Sequence, residues 1–154
     1  MPTEHIVRSY DEDLRKLRDM IARMGGLVER QVSDATRALV RRDSDLAGEV
    51  VQRDVQIDQL EREVEAYCVR LLALRQPMAA DLRLIIACMK VSNDLERIGD
   101  YSANAAKRSI VLASLPGLGS MNGFERMAHL VQENLKAAMD ALVQSDADAA
   151  ERVW

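Results

Sequence analysis

Long amphipathic stretches dominate this chain of 154 residues, with apolar side chains recurring at steps of three and four. This spacing places the apolar side chains on one face of an α-helix, so it restricts the possible folds more than any other feature. The sequence predicts four helices, over about 3–41, 45–74, 78–113 and 122–144. Because long helices joined by short turns must fold back on one another, we predict an all-α antiparallel bundle.

Composition and charge narrow the class of protein. Hydrophobic residues make up 48% of the chain but aromatic residues only 3%, which is typical of helices packed on helices. The net charge is −4 with both signs interleaved, which argues against a nucleic-acid binder and against an anionic membrane surface as the main partner. The N-terminus does not resemble a signal peptide, and no apolar run approaches the roughly 20 residues of a transmembrane helix. We therefore expect a cytoplasmic chain, with Cys68 and Cys88 as reduced, buried thiols.

An internal repeat divides the chain at its one segment rich in helix breakers, 114–120. Residues 24–51 align without a gap to 127–154, with 11 identical residues in 28, and both copies share the turn pattern Leu-Val-x-x-Asp-x-Asp-x-Ala. The first copy continues into two further long helices. We therefore predict a three-helix bundle over 1–115, followed over 122–154 by the first helix and the start of the second helix of an incomplete second unit.

The fourth helix and a glycine pair in the first helix lead to two further expectations. An unpaired fourth helix would expose apolar residues such as Val131 and Leu135, so we expect it to pack on the first bundle or on another copy of the chain. Gly25 and Gly26 lie within the apolar pattern of the first helix, which continues through them. We therefore interpret them as a place where another helix approaches closely, rather than as a kink.

Acidic residues form a layer beside the apolar seam. Asp54 and Asp58 lie one turn apart on the second helix, and Glu96 and Asp100 lie one turn apart on the third. If these helices fold back about Pro77, residues whose numbers sum to 154 lie at the same height, so the two acidic pairs face each other. The candidate metal ligands are Glu96, Asp100, Asp54, Asp58 and Glu29, with Glu61, Asn93 and Asp94 as further candidates.

The spacing of these residues allows two interpretations. One is a metal site built from oxygen ligands, which would favour magnesium, manganese, calcium or iron over zinc. The other is a solvated helix face on which arginines pair with the acids. Arg53 and Arg62 are correctly spaced to pair with Glu49 and Asp58, and Arg97 lies beside Glu96.

The sequence offers no nucleophile–base arrangement, no phosphate-binding loop and no GxSxG motif, so we do not expect an enzyme. One alternative is a carboxylate-bridged di-metal bundle with oxidase or storage activity. Such sites typically use a Glu-x-x-His motif, and neither His5 nor His129 follows a glutamate at that spacing. A plain helical scaffold is the other alternative.

Several motifs together resemble the PhoU family of phosphate-signalling regulators. They include Met24-Gly25-Gly26-Leu27-Val28-Glu29, Asp43-Ser44-Asp45-Leu46-Ala47, and the segment from Asp54 to Glu61. The two most specific motifs are Arg75-Gln76-Pro77-Met78-Ala79-Ala80-Asp81-Leu82-Arg83 and Leu95-Glu96-Arg97-Ile98-Gly99-Asp100. The resemblance covers the chain from His5 to its last residue.

The resemblance implies two three-helix bundles in tandem, each with an acidic-xxx-Asp motif, at which some members of the family bind clusters of iron or zinc, or other divalent ions. Carried over by position, the motif corresponds to Glu96 with Asp100, and Asp54 with Asp58 is the matching pair. It also implies a cytoplasmic homodimer at the inner face of the membrane. There such a regulator would link the ATPase subunit of a phosphate ABC transporter to a phosphate-sensor histidine kinase, and repress the phosphate-starvation response. The chain departs from this pattern because the rest of a second bundle is missing.

Overall fold

A computed structural model describes residues 2–117 and 119–153, with side chains from residue 10 onward. Its helices are α1 (Pro2–Arg41), α2 (Ser44–Arg75), α3 (Ala79–Ala113), α4 (Asn122–Gln144) and α5 (Ala147–Val153). The predicted all-α fold is confirmed, and the predicted ends of the four long helices agree within one residue. The side chain of His5, and Trp154 at the end of the predicted second unit, lie outside the described residues.

The core lies where α1, α2 and α3 pack together. Each helix contributes one stripe of fully or almost fully buried apolar residues, as the periodicity predicts. These residues include Leu17, Ile21, Met24 and Val28 of α1, Ile57, Val64 and Leu71 of α2, and Ile85 and Leu95 of α3. Cys68 and Cys88 are free thiols buried in the same core. Their burial agrees with the prediction, and it raises the pKa of the Cys68 thiol to about 12.

The two turns of the internal repeat have the same backbone geometry. Arg42 and Ser145 both adopt the left-handed conformation, with φ of 55° and 54°. In the first turn the backbone N–H of Asp43 donates to the carbonyl of Ala38 at 2.9 Å, and the equivalent bond of Asp146 is also 2.9 Å. The carboxylates of Asp43 and Asp146 each cap the following helix by accepting from a backbone N–H at 2.9 Å. This agreement supports the repeat inferred from the sequence.

Helix α4 packs against α1 as a fourth helix of the bundle. A Cβ added to Gly25 would lie 2.6 Å from Cε of Met139, so the glycine makes room for that side chain of α4. The expected close approach is therefore present at Gly25, whereas Gly26 faces open space. The other faces of α4 remain exposed, including Met127 at 56% and Val131 at 47%.

A single arginine ties the first turn to the end of α3. The guanidinium of Arg42 donates to the backbone carbonyls of Leu112, at 3.0 Å, and Ala113, at 2.9 Å, and also to that of Leu115. A cation at a helix C-terminus satisfies carbonyls that have no partner within the helix.

A search of the described helices for a membrane-spanning segment, long and apolar enough to cross a bilayer, finds none.

Candidate metal centre

Three aspartates from two antiparallel helices converge on one point of the bundle. Asp54 and Asp58 of α2 and Asp100 of α3 each offer a carboxylate oxygen, and these oxygens lie within 4.8 Å of one another. The first two side chains are half-buried and the third is exposed. The predicted pairing of the two acidic motifs across Pro77 therefore holds for these residues, because both helices run without interruption from that turn to this height.

Glu96 and Glu61 extend the negative charge around the three aspartates. Burial raises the pKa of Glu96 above its usual value, and the charges of Asp100, Asp58, Glu61 and Asp54 raise it further. Burial also raises the pKa of Asp54, and the charges of Asp58 and Asp100 add to this, whereas the hydrogen bond from Gln31 and the charge of Lys107 partly offset it. Repulsion that raises a carboxyl pKa disfavours the charged form until a cation arrives. A cation placed between these carboxylates would offset this repulsion.

Two of the arginines expected to neutralise this face, Arg53 and Arg97, interact mainly with other residues. Arg53 donates to the buried carboxylate of Asp34 on α1 at 2.8 Å, rather than to Glu49. The pKa of Arg97 is raised mainly by a hydrogen bond to Tyr101 and only slightly by the charge of Glu96, so Tyr101 is its main partner. Within residues 10–117 and 119–153, none of the five clustered carboxylates has a basic group within 4.0 Å. This arrangement favours the metal interpretation over an arginine-paired face.

Helix α1 contributes an amide to the site instead of the expected glutamate. Glu29 faces α4, where it lines a groove with Gln132 and Lys136. Gln31 is 1% exposed, and its Nε2 donates to Oδ1 of Asp54 at 3.0 Å. Two residues advance an α-helix by about 200°, so Glu29 and Gln31 point to opposite sides. Glu29 is expected near the level of residue 57 because α1 folds back about residue 43, but that count does not determine the side of the helix on which Glu29 lies.

Two of the further candidates also point away from the three aspartates. Asn93 is exposed, and its amide donates to the carbonyl of Met89 at 2.8 Å on its own helix. Asp94 lines an apolar groove between α3 and α4 together with Val91 and Leu135. We therefore restrict the candidate ligands to Asp54, Asp58 and Asp100, with Glu96 and Glu61 close by.

The donor set fits a hard divalent cation. The three converging groups are all carboxylates, and oxygen ligands suit magnesium, manganese, calcium or ferrous iron. Structural zinc sites usually include histidine or cysteine. His129 instead lies exposed on α4, where its Nδ1 is 3.3 Å from a carboxylate oxygen of Glu133. The geometry therefore does not favour the zinc that the family resemblance allows.

Comparison with known proteins identifies the relatives of this chain. A family model described as PhoU domain matches residues 21–109. The chain is 45% identical over 153 residues to the phosphate-specific transport system accessory protein PhoU homolog of Caulobacter vibrioides, covering 99% of this chain and 66% of that protein. The homolog of the same name from Pseudomonas aeruginosa is 44% identical over 151 residues, covering 96% and 62%.

Solved structures give the same result. The crystal structure of PhoU from Pseudomonas aeruginosa matches with a TM-score of 0.89 at 42% identity, covering 93% of this chain and 69% of that one. The phosphate transport system regulatory protein PhoU from Streptococcus pneumoniae matches with a TM-score of 0.87 at 31% identity, covering 94% and 68%. The chain thus spans slightly less than two thirds of the length of the curated relatives named above. On these matches in sequence and structure, the chain belongs to the PhoU family.

Proposed function

We propose that this chain is a non-enzymatic accessory regulator of phosphate-specific transport that represses phosphate uptake and the phosphate-starvation response. The observation that carries the proposal is that 96–99% of this chain matches about two thirds of homologs named as accessory proteins of that transport system. The relative from Streptococcus pneumoniae is likewise named a regulatory protein. In this proposal, residues 1–115 form one three-helix unit, and residues 122–154 correspond to the first helix and the start of the second helix of another.

Its partners in this role are the ATPase subunit of a phosphate ABC transporter and a phosphate-sensor histidine kinase, which the regulator couples. It acts as a homodimer in the cytoplasm and reaches the inner face of the membrane through these partners. Support for the transporter comes from the names of the homologs. The kinase, the dimer and the membrane location follow from the family resemblance alone.

The acidic cluster binds a divalent cation as part of this role. Asp54, Asp58 and Asp100 would hold the ion, with Glu96 and Glu61 adding negative charge around it. A bound cation would supply positive charge that offsets the repulsion between α2 and α3. The carboxylates come from α2 and α3. A cation bound between them would therefore fix the distance between these two helices and the surface that the helices present to a partner.

A complementation assay tests the regulatory role. Alkaline phosphatase activity is measured in ample phosphate, in a Pseudomonas aeruginosa strain that lacks its own PhoU homolog and carries this chain. We expect low activity with this chain and with the full-length homolog, and high activity with an empty vector. High activity despite normal accumulation of the chain would contradict the proposal.

Two variants make that assay specific to the site. The triple variant Asp54→Asn, Asp58→Asn, Asp100→Asn preserves side-chain size but removes the proposed ligands, and we expect it to lose repression. The control variant Asp19→Asn removes a charge from an exposed position of α1, and we expect it to repress normally. Equal repression by both would remove the cation from the proposal and leave the regulatory role in place.

A further inference from the structure

Gln31 is a buried amide placed against the proposed cation site. Its side chain is 1% exposed, and its Nε2 donates to Oδ1 of Asp54 at 3.0 Å. A buried amide is costly unless it is hydrogen-bonded, so this contact fixes both groups. The bond engages one oxygen of Asp54 and leaves the other available for a cation.

Gly99 of α3 lies beside the same carboxylate. A Cβ added there would lie 3.0 Å from Cδ1 of Ile57, 3.3 Å from its Cγ2 and 3.4 Å from Oδ1 of Asp54. Helix α3 therefore lies close to α2 at this level, and a methyl group at residue 99 would press on the side chain of Ile57. Asp100 is the next residue, so the close approach also sets its distance from the aspartates of α2.

We propose that Gln31 and Gly99 form a clamp that positions Asp54 for the cation, with Gln31 orienting the carboxylate and Gly99 setting the helix spacing. The inference rests on the proposed cation binding. Gln31 and Gly99 are positioning residues and not ligands. Because outer-shell partners orient metal ligands, their loss typically lowers metal affinity by 10- to 100-fold.

The amide is tested with Mn²⁺ as the probe. Free Mn²⁺ is measured by electron paramagnetic resonance during titration of the metal-stripped protein. We expect Gln31→Met, which keeps the length but removes the donor, to weaken Mn²⁺ binding by about 10- to 100-fold. The control Gln132→Met removes an amide on α4 that donates to the carbonyl of Ala128, and we expect it to bind as the wild type does.

The glycine is tested through ion selectivity. Gly99→Ala would separate α2 from α3 at the site, so we expect the affinity for Mn²⁺ to fall more than that for the larger Ca²⁺, measured by competition. A general loss of stability would not change this ratio in a folded protein. The control Gly48→Ala places a methyl group in open space on α2, and we expect an unchanged ratio.

The outcomes separate the clamp from the cation site. Wild-type affinity in Gln31→Met, or an unchanged Mn²⁺/Ca²⁺ ratio in Gly99→Ala, would overturn the clamp while leaving the cation site intact. If Gln31→Met loses its helical circular dichroism, the Mn²⁺/Ca²⁺ affinity ratio of Gly99→Ala alone decides whether the clamp is correct. A wild-type protein that binds no Mn²⁺ would overturn the cation site and the clamp with it.

Discussion

Removing the charge of Asp54 is expected to have opposite effects on stability without and with a cation. In Asp54→Asn the side chain keeps its size, and its remaining carbonyl oxygen can still accept the hydrogen bond from Gln31. The substitution removes repulsion from Asp58 and Asp100, whose carboxylate oxygens lie within 4.8 Å. The same substitution removes one proposed ligand. The free energy of unfolding should therefore rise in EDTA and lose its dependence on the cation.

The size of the first effect follows from the distance between the charges. Two unit charges at 4.8 Å interact by about 1 kcal/mol in water and about 3.5 kcal/mol at an effective dielectric of about 20. Asp100 is exposed and the other two aspartates are only half-buried, so solvent screens most of this repulsion. We expect the metal-free variant to gain about 1 kcal/mol, or roughly 3 °C in melting temperature for a domain of this size.

The second effect follows from mass action. A cation at 100 times its dissociation constant stabilises the wild-type protein by about 2.7 kcal/mol, and the variant should gain much less. Urea unfolding in EDTA and in Mn²⁺ measures both effects, with Asp19→Asn as the control for the change in net charge. The reasoning would be refuted if Asp54→Asn were less stable than the wild type in EDTA, or if Mn²⁺ stabilised both proteins equally.

Three further predictions concern the packing of the core, the cap on α3 and the dependence of stability on pH. Val28→Ala should lower the free energy of unfolding, measured in urea, by about 2–3 kcal/mol because Val28 is fully buried. Val131, its counterpart in the repeat, is 47% exposed, so Val131→Ala should cost less than about 0.5 kcal/mol in the same assay. Arg42→Ala should cost about 1 kcal/mol and increase hydrogen exchange at the end of α3, whose carbonyls the arginine caps. Because the folded-state pKa values of Asp54 and Glu96 are raised, the folded state binds more protons than the unfolded state just above their usual range. The metal-free protein should therefore become more stable as the pH is lowered from 7 to 5, in thermal unfolding; stability that falls over this range would contradict the prediction.

The helices were predictable because their periodicity is long and seldom interrupted. An Asp-Ser-Asp cap marks the first turn, Pro77 marks the second and glycine and proline mark the linker, so each predicted end of a long helix lies within one residue of the observed one. The pairing of Asp54 and Asp58 with Asp100 was predictable for a similar reason, since counting residues from Pro77 gives the height of each residue on two straight antiparallel helices.

Direction around a helix was harder to predict than height along it. Glu29 was placed at the correct level but points toward α4, and the buried residue on the proper face is Gln31. The signal that could have found Gln31 was its position in the apolar stripe, three residues after Val28. The partners of the arginines were also not predictable, because Arg53 pairs across helices with Asp34 rather than with the nearer Glu49 in sequence.

The most direct test of this account is the anomalous diffraction of crystals grown with Mn²⁺. The account predicts a strong anomalous peak within bonding distance of Asp54, Asp58 and Asp100, and no such peak at these residues in the triple asparagine variant. Crystals that diffract well and show no anomalous density between these carboxylates would contradict it.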